Sequence, residues 1–375
     1  MNRVLCLVLA FVLVFGCLFF SARADGELTT EPETSATLQA DPGFVMQKEA
    51  LLSALYEADI ATLRQALDTG LVTCQELTAY YLQRINTYNE PYNCFITMCD
   101  TAMEVARQRD QALADGTASG ILFGIPIVIK DNMNLAGYYT TNGYDFSDSS
   151  IAKTDADVVS YLLSEGAVII AKTNMSTDAR YSRHSYSLVA GETKNAYSLY
   201  MSSAGSSGGS AVATSLNFAA AALGTDTNSS LRLPAAYAGC VALRPTHGLI
   251  SRTGCFRVNS SRDTPGAITR TVYDQAIMLD AMTGGVNSYT ANLNANALEG
   301  VRIGVLEELT YSYALRYDLR EQSDFDEEVI AAFENAVEEL RQCGAEVVTV
   351  SLPNIFVKCE TTLYVHTADR KKRLL

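Results

Sequence analysis

Residues 204–246 read AGSSGGSAVATSLNFAAAALGTDTNSSLRLPAAYAGCVALRPT, and this stretch constrains the architecture more than any other. Two serine-rich turns, at residues 206–209 and 228–230, flank an apolar run. The run predicts a short helix over residues 210–216 and a buried strand over residues 218–223. Glycine allows the backbone angles of tight turns, and free N–H groups at such turns can hold a developing negative charge. The stretch therefore indicates acyl transfer to a serine hydroxyl.

Serine- and glycine-rich stretches are more commonly flexible linkers. A linker would not contain the apolar run AVATSLNFAAAALG at residues 211–224, nor be followed by LRLPAAYAGCVALRP at residues 231–245. Such runs become buried in a core, so the composition favours a folded element over a linker.

Apolar runs elsewhere in the chain alternate with helical patterns. Continuous runs rich in β-branched residues predict buried strands at residues 125–129, 167–171, 301–306 and 347–350. Helical periodicity predicts helices at residues 60–67, 157–163 and 329–340, and two capping boxes, 73–76 and 101–104, predict two more helix starts. This alternation predicts an α/β fold with a central, twisted, mixed sheet covered by helices on both faces.

Composition places the chain among globular proteins long enough to bury a large core. It has 375 residues, 48% hydrophobic and 19% charged, with a formal net charge of −14. The only dense basic run is at residues 370–373, so we expect no nucleic-acid partner.

The N-terminus resembles an export signal. A short basic start precedes an apolar run at residues 4–20, and Ala-Arg-Ala at residues 22–24 fits a cleavage site. We therefore predict a signal peptide at 1–24, a disordered acidic spacer at 25–49 and one domain at 50–375. The mature protein is then secreted or extracytoplasmic. The alternative is an uncleaved membrane anchor, and membrane contact is otherwise not expected.

Cysteine and histidine usage argues against several kinds of site. Removal of the signal leaves seven cysteines, an odd number without regular spacing, which does not describe a disulfide framework. There is no CxxC or HExxH motif, and none of the three histidines lies in a motif. We therefore expect no metal, no cofactor and no Ser-His-Asp triad.

The motifs of the chain resemble those of the amidase signature family. One motif is GIPIVIKD at residues 124–131, and the others are GSSGGS at 205–210, GTDT at 224–227, SLRLPA at 230–235 and LRPT at 243–246. Residues 171–175 and 263–272 also match the family. The resemblance covers residues 51–306 and, more weakly, the rest. Since family members run further, the chain is expected to lack a C-terminal part of the fold.

The resemblance implies a Ser–cis-Ser–Lys triad. By position within the motifs, Ser230 is the nucleophile, Ser206 is the bridging serine on a cis peptide bond, and Lys130 is the base. A lysine is ordinarily protonated at neutral pH. Lys130 ends an apolar strand, where burial disfavours the ammonium form and lowers the pKa. It can then receive a proton from Ser206, which receives one from Ser230.

The resemblance also implies where the substrate binds. The oxyanion hole consists of the backbone N–H groups of Thr227, Asn228, Ser229 and Ser230. Residues Thr173, Asn174 and Met175 are expected to line the substrate cleft. Where the family has Gly-Gly, this chain has Asn228-Ser229, a departure that brings side chains to the oxyanion loop.

We therefore predict an exported amidase that cleaves a carboxamide C–N bond through an acyl-enzyme, acting on a small-molecule or peptide amide. Two alternatives stay open. One is a glutaminase similar to the A subunit of a tRNA-dependent amidotransferase, which shares the fold. The other is a catalytically impaired binding protein, which the change at residues 228–229 and the short C-terminus favour.

Overall fold

The computed structural model describes residues 51–306 and 327–352. The predicted signal peptide at 1–24 and the acidic spacer at 25–49 lie outside the described residues and stay predictions. The same holds for the basic run at residues 370–373.

The helices and strands of the described residues alternate along the chain. The helices are α1 (Ile60–Asp68), α2 (Cys74–Tyr88), α3 (Ala102–Ala114), α4 (Asp157–Ser164), α5 (Gly208–Ser215), α6 (Arg232–Tyr237), α7 (Val272–Met282) and α8 (Glu327–Gln342). The strands are β1 (Phe95–Met98), β2 (Pro126–Lys130), β3 (Tyr139–Thr140), β4 (Ser150–Ile151), β5 (Val168–Thr173), β6 (Ser185–Ser187), β7 (Gly191–Thr193), β8 (Ala221–Asp226), β9 (Val241–Ala242), β10 (Thr264–Thr269), β11 (Arg302–Leu306) and β12 (Glu346–Val350).

A six-stranded sheet in the order β1-β5-β2-β8-β10-β9 forms the centre of the protein. Strand β2 pairs in parallel with β5 and with β8, whereas β1, β10 and β9 run antiparallel to their neighbours. Every residue of β2, β5, β8 and β10 is buried, so both faces of this part of the sheet are covered. The predicted α/β fold with a mixed central sheet is confirmed.

The three parallel strands bring polar residues to one edge of the sheet. Each begins with apolar residues and ends with polar ones, as PIVIK, VIIAKT and AALGTD. The carboxyl ends of parallel strands meet at the same sheet edge, where ligands of α/β proteins commonly bind. Lys130 pairs in register with Thr173 across β2 and β5, and Ile129 pairs with Leu223 of β8. The sheet thus gathers the functional motifs at one edge.

Most predicted elements lie within a few residues of their predicted positions. The helix predicted at residues 210–216 is α5, and the strand predicted at 218–223 is β8, which begins three residues later than expected. The strand β10, TPGAIT, was not predicted, because its proline, glycine and threonines interrupt the apolar pattern that marks a buried strand. It is held by pairing with β8 and β9.

Of the two predicted capping boxes, one is confirmed and one is wrong. The hydroxyl of Thr73 accepts a hydrogen bond from Glu76 N, and the Glu76 carboxylate accepts one from Thr73 N. Thr101 makes no side-chain cap, because its hydroxyl pairs with the hydroxyl of Tyr138 at 2.8 Å. A tertiary contact thus replaces a local one that the sequence alone suggests.

Strands β11 and β12 form a separate parallel pair, with α8 between them in the chain. The predicted strands at residues 301–306 and 347–350 and the predicted helix at 329–340 are therefore present. The apolar face of α8 is only partly covered, and the Phe333 side chain is 45% exposed.

The structure also bears on disulfides and membrane spans. The cysteines among the described residues are all free, namely Cys74, Cys94, Cys99, Cys240, Cys255 and Cys343. Cys359 lies outside the described residues. None of the helices in residues 51–306 and 327–352 has the length and hydrophobicity that crossing a bilayer requires.

Candidate active site

Lys130, the last residue of β2, is the centre of the site. Its side chain is 0% exposed. Its amine lies 2.7 Å from Ser206 Oγ, 3.0 Å from Ser207 Oγ and 3.0 Å from Thr225 Oγ1. A buried amine is thus surrounded by three hydroxyl groups, and the expected burial of Lys130 is confirmed.

Burial changes the proton affinity of this amine. Loss of hydration lowers the pKa of Lys130 from 10.5 to about 7, and the carboxylates of Asp226 and Asp263 oppose that shift. The two carboxylates stabilise the ammonium form and so raise the pKa of Lys130, but the desolvation of the amine lowers that pKa by more. A substantial fraction of the lysine is therefore uncharged near neutral pH, as a general base requires.

A second buried lysine, Lys172 on β5, has a different environment. Its amine lies 3.0 Å from a carboxylate oxygen of Asp131, and both side chains are 0% exposed. The register of β2 and β5 places Lys172 beside Ile129, on the face of the sheet opposite to Lys130. Lys172 also lies 3.0 Å from Thr140 Oγ1, but it belongs to a buried ion pair. Among the described residues, Lys130 forms no ion pair and has hydroxyl groups as its hydrogen-bond partners.

Ser206 lies in the turn that precedes α5. The peptide bond between Gly205 and Ser206 is cis. The Ser206 side chain is fully buried, and its carbonyl accepts a hydrogen bond from Ser176 N at 3.2 Å. In the part of the chain that the structure describes, Lys130 is the one hydrogen-bond partner of the Ser206 hydroxyl.

Gly205 allows this turn to pack against the segment at residues 181–184. A Cβ atom at Gly205 would lie 2.4 Å from His184 O and 2.6 Å from Tyr181 O, which are distances that real Cβ atoms do not adopt. Gly205 N also donates to Ser182 O at 2.8 Å. Any side chain at this position forces one of the two backbone segments to move, and Ser206 with it.

We expect Gly205→Ala to reduce activity at least about tenfold and to lower stability by about 1–3 kcal/mol, since backbone must shift to relieve the overlap. Turnover and thermal unfolding of the variant measure both effects. The control is Gly137→Ala, whose added Cβ meets no atom within 4 Å. Gly137, unlike Gly205, has a positive φ, so this variant shows what backbone strain away from the turn does to stability and activity. Equal activity of Gly205→Ala and wild type would contradict the close packing of the turn.

The first two backbone N–H groups of α5 donate hydrogen bonds to other segments of the protein. Gly208 N donates to Ser185 Oγ at 2.9 Å, and Gly209 N donates to Asn174 O at 3.2 Å. The sequence suggested anion-binding N–H groups at both serine-rich turns, but at the first turn the N–H groups of Gly208 and Gly209 already have acceptors.

The second turn, residues 227–230, connects β8 to α6. Among the described residues, no acceptor receives a hydrogen bond from the backbone N–H groups of Thr227, Asn228, Ser229 or Ser230. Neither Asn228 nor Ser229 has a positive φ, so the absence of the family's two glycines imposes no left-handed strain here. The loop therefore has donors available for an anion.

The hydroxyl of Ser230 is close to the surface of the site, with the residue 5% exposed. Within the described ranges, no hydrogen bond joins it to the hydroxyl of Ser206. The structure thus brings together Lys130 and Ser206 but does not connect Ser230 to them. Catalytic hydrogen bonds are often long in an enzyme without substrate and shorten when it binds.

Asp226 holds the second turn in place. Its carboxylate receives hydrogen bonds from Leu231 N at 3.2 Å, from Arg232 Nε at 3.1 Å and from an Arg244 guanidinium nitrogen at 2.9 Å. Asp226 and Arg232 thus form an ion pair. Arg244 was missed, although it lies in the LRPT motif. It also donates to Arg262 O, which ties the turn to the segment before β10.

The residues predicted to line the substrate cleft lie at the end of β5. The Thr173 hydroxyl pairs with Ser210 Oγ at 2.7 Å, and the Asn174 amide donates to Asn93 O and Gly191 O at 3.2 and 3.1 Å. Both side chains and that of Met175 are fully buried. These contacts hold α5 and β7 against β5. A contact between these residues and substrate stays a prediction.

Two further residues complete the cluster around Lys130. Thr225 Oγ1 lies 3.0 Å from the Lys130 amine and 3.0 Å from Asn132 Nδ2. Thr225 lies within the motif GTDT and Asn132 directly follows the motif GIPIVIKD, yet sequence reasoning assigned neither a role. The signal that was available is their position at the polar ends of neighbouring parallel strands.

A small pocket adjoins this cluster at Thr225 and Thr227. Its wall includes Arg252, Phe256 and Arg257. Phe256 N donates to Asn132 O at 2.8 Å, which places the pocket next to the strand end that carries Lys130. The site therefore has a wall with aromatic and cationic side chains. Within the described ranges, no group of three or more His, Cys, Asp or Glu side chains is arranged to hold a metal ion.

Comparison with known proteins identifies members of one family as relatives of this chain. A family model described as Amidase matches residues 76–374. The A subunit of the glutamyl-tRNA(Gln) amidotransferase of Chlorobium chlorochromatii is 36% identical over 324 residues, which make up 83% of this chain and 66% of that protein.

Solved structures give the same result. The native peptide amidase from Stenotrophomonas maltophilia matches 82% of this chain and 64% of its own chain, with 35% identity and a TM-score of 0.72. An amidase family protein from Bacillus anthracis str. Ames matches 85% of this chain and 64% of its own, with 31% identity and a TM-score of 0.73. The present chain thus spans just under two thirds of the length of these two proteins.

Proposed function

Because this chain belongs to the amidase family, we propose that it hydrolyses carboxamide C–N bonds through Ser230, Ser206 and Lys130. The observation that carries the proposal is the geometry of Lys130. Its amine is fully buried, has a pKa of about 7 and lies 2.7 Å from Ser206 Oγ. An uncharged amine in contact with a serine hydroxyl is a base that can start a proton relay.

Acylation begins with two proton transfers. Ser206 gives its hydroxyl proton to the Lys130 amine and receives the proton of the Ser230 hydroxyl, and Ser230 Oγ attacks the carbonyl carbon of the amide. The free N–H groups of residues 227–230 stabilise the negative charge that develops on the carbonyl oxygen. When the C–N bond breaks, the leaving amine takes the proton back from Lys130 through Ser206.

Deacylation repeats the same relay with water. The hydroxyl relay removes a proton from a water molecule that attacks the acyl-enzyme carbonyl. The tetrahedral intermediate then collapses, the ester bond to Ser230 breaks, and Ser230 regains its proton. The products are a carboxylic acid and an amine or ammonia. Every proton is carried by groups of this chain or by substrate and water, so the proposed cycle uses no cofactor.

We propose a small-molecule or peptide amide as the substrate. The relative from Stenotrophomonas maltophilia is a peptide amidase, which supports a peptide amide. The acidic net charge of −14 supports the proposal that the partner is not a nucleic acid. Export through residues 1–24 also stays a proposal, and it places the reaction outside the cytoplasm, or at a membrane if the segment is retained.

A second candidate function is glutamine hydrolysis within an amidotransferase. It is supported by the relatives that are A subunits of glutamyl-tRNA(Gln) amidotransferases, one of them at 36% identity. Such a protein would release ammonia from free glutamine and act in a complex in the cytosol. A third candidate, a binding protein without activity, is supported by the side chains that Asn228 and Ser229 add to the oxyanion loop.

The test is a screen for ammonia release over aliphatic, aromatic and peptide C-terminal amides and free glutamine, with Lys130→Ala protein purified in parallel. We expect release from at least one carboxamide by wild type and about 10²–10⁴-fold less by the variant. Release from glutamine alone would favour the second candidate. Equal release by both proteins, or none from folded wild type under any condition, would contradict the proposed hydrolysis.

A further inference from the structure

The inference concerns the direction of the hydrogen bonds around Lys130, and it rests on the proposed function. We propose that Thr225 and Asn132 are positioning residues that aim the lone pair of the Lys130 amine at Ser206. Neither residue touches the reacting atoms in the proposed cycle. Both act through the lysine, and they decide which of its three hydroxyl neighbours can give it a proton.

An uncharged amine has two N–H bonds and one lone pair, and a hydroxyl has one proton and two lone pairs. Lys130 Nζ has three hydroxyl neighbours at 2.7–3.0 Å, on Ser206, Ser207 and Thr225. Two of these hydroxyls must therefore accept from the amine, and the third must donate to it. Only donation by Ser206 allows the lysine to act as the base of the relay.

Ser207 is one of the two hydroxyls that accept from the Lys130 amine. Its hydroxyl lies 3.3 Å from the carbonyl oxygen of Thr225, to which it donates its proton. It also accepts from Thr225 N at 3.3 Å. One lone pair is left, and the Lys130 amine at 3.0 Å fills it. Ser207 therefore takes one N–H of the lysine.

The hydroxyl of Thr225 can either donate to the Lys130 amine or accept from it. Its hydroxyl has two neighbours in the described part of the chain, the Lys130 amine and the side-chain amide of Asn132. If its proton goes to the lysine, it occupies the lone pair that Ser206 needs. If its proton goes to Asn132, it accepts the second N–H of the lysine instead. The partner of the Thr225 proton therefore decides whether Lys130 faces Ser206 as a base.

The Asn132 amide can receive that proton. The residue is fully buried, with Nδ2 3.0 Å from Thr225 Oγ1, and its Oδ1 has no hydrogen-bond partner among the described residues. A half-turn of the amide exchanges these two nearly isosteric atoms and brings Oδ1 to Thr225. In that orientation Asn132 accepts the Thr225 proton, Thr225 and Ser207 accept from Lys130, and the lone pair is left for Ser206.

The test replaces Thr225 with valine, which has nearly the same shape but no hydroxyl. An acceptor stabilises the ammonium form more than the neutral amine, so its loss should lower the pKa of Lys130 by about one unit. In the pH profile of kcat/KM, we expect the acid limb, where the rate rises with pH, to shift to lower pH by about one unit. We expect kcat to fall about tenfold, with KM nearly unchanged. If Thr225 donated to the neutral amine, its loss would also remove a hydrogen bond that stabilises the neutral form, so the limb would stay in place or move to higher pH.

Two further variants complete the set. Thr225→Ser retains the hydroxyl and should restore the wild-type limb. Asn132→Leu removes the acceptor for the Thr225 proton and should lower kcat about tenfold with the Thr225 hydroxyl still in place. The matched control is Thr78→Val, a buried threonine on α2 whose hydroxyl has no partner among the described residues. This control should leave the acid limb of kcat/KM at the same pH as in wild type.

A measurement that does not depend on turnover separates this inference from the proposed function. The pKa of Lys130 can be followed by NMR of ¹³C-labelled lysine in the folded protein, with the signal assigned by its loss in Lys130→Met. The charged groups that act on Lys130 are Asp226 and Asp263, and none of the variants alters them. A lower pKa in Thr225→Val supports the inference, whereas an unchanged or higher pKa overturns it even if wild type is an active amidase.

Discussion

Replacement of Ser230 by alanine is expected to lower amide hydrolysis by at least about 10³-fold, because the proposed mechanism forms the acyl-enzyme on the Ser230 hydroxyl. Ser230 is the last residue of the loop at residues 227–230, just before α6, and it is 5% exposed. A fluorophosphonate reagent that reacts with activated serines should label wild type and fail to label Ser230→Ala. Mass spectrometry of the labelled peptide locates the modified serine directly.

The matched control is the neighbouring serine. Ser229→Ala removes a hydroxyl from the same loop but retains the backbone N–H groups and the Asp226 contacts that hold the turn. It should keep both labelling and turnover within about tenfold of wild type, since it removes no proposed reactive group. Labelling of Ser229, or unchanged labelling of Ser230→Ala, would show that the nucleophile was wrongly assigned.

Replacement of Lys130 by methionine is expected to lower kcat/KM by about 10²–10⁴-fold, the range for loss of a general base. Methionine fills a similar volume and leaves the hydroxyls of Ser206, Ser207 and Thr225 in place without the amine. In wild type the rate should rise with pH through about 7, because only the deprotonated lysine can receive a proton. The variant should have a low, flat profile over the same range.

The same lysine predicts a change of stability with pH. Its pKa is about 7 in the folded protein and near 10.5 when exposed. Between these values the unfolded chain binds a proton that the folded protein has released, so the unfolding free energy of wild type rises with pH there. Below pH 7 both states carry the proton, and the unfavourable burial of the ammonium is complete.

Thermal unfolding of wild type and Lys130→Met at several pH values measures this effect. Relative to wild type, the variant should be most stable below pH 7 and should lose that advantage by a few kcal/mol between pH 7 and pH 10. A constant difference between the two proteins across that range would contradict a depressed lysine pKa. Because methionine fills a volume similar to that of lysine, Lys130→Met leaves little cavity. The pH dependence of the stability difference therefore reports the titration of the Lys130 amine.

Local patterns were sufficient for much of the fold. Strands β2 and β5 were predictable because continuous β-branched runs fit a sheet that is covered on both faces. Strand β10 was not, because it is held by its neighbours β8 and β9 rather than by a local apolar pattern. The wrong capping box at Thr101 has the same cause, since Tyr138, 37 residues away, takes the hydroxyl that would have capped the helix.

For the site, the motifs supplied the candidate residues, and the burial of Lys130 followed from the apolar strand that carries it. The hydrogen-bond partners of its amine did not follow, because they lie 76, 77 and 95 positions away in the chain. The motifs also suggested N–H donors at both serine-rich turns, yet at the first turn those of Gly208 and Gly209 already have acceptors.

The amino-acid order thus fixed the class of fold, the family and the chemical groups at the sheet edge, since these depend on periodicity and on short motifs. Folding decided which buried lysine has no carboxylate partner, which N–H groups of the two turns have acceptors and which hydroxyls surround Lys130. The physical reason is that proton affinity and hydrogen-bond direction depend on desolvation and on every polar neighbour in space. Those neighbours come from β2, β8 and the turn before α5, which meet only in the folded protein.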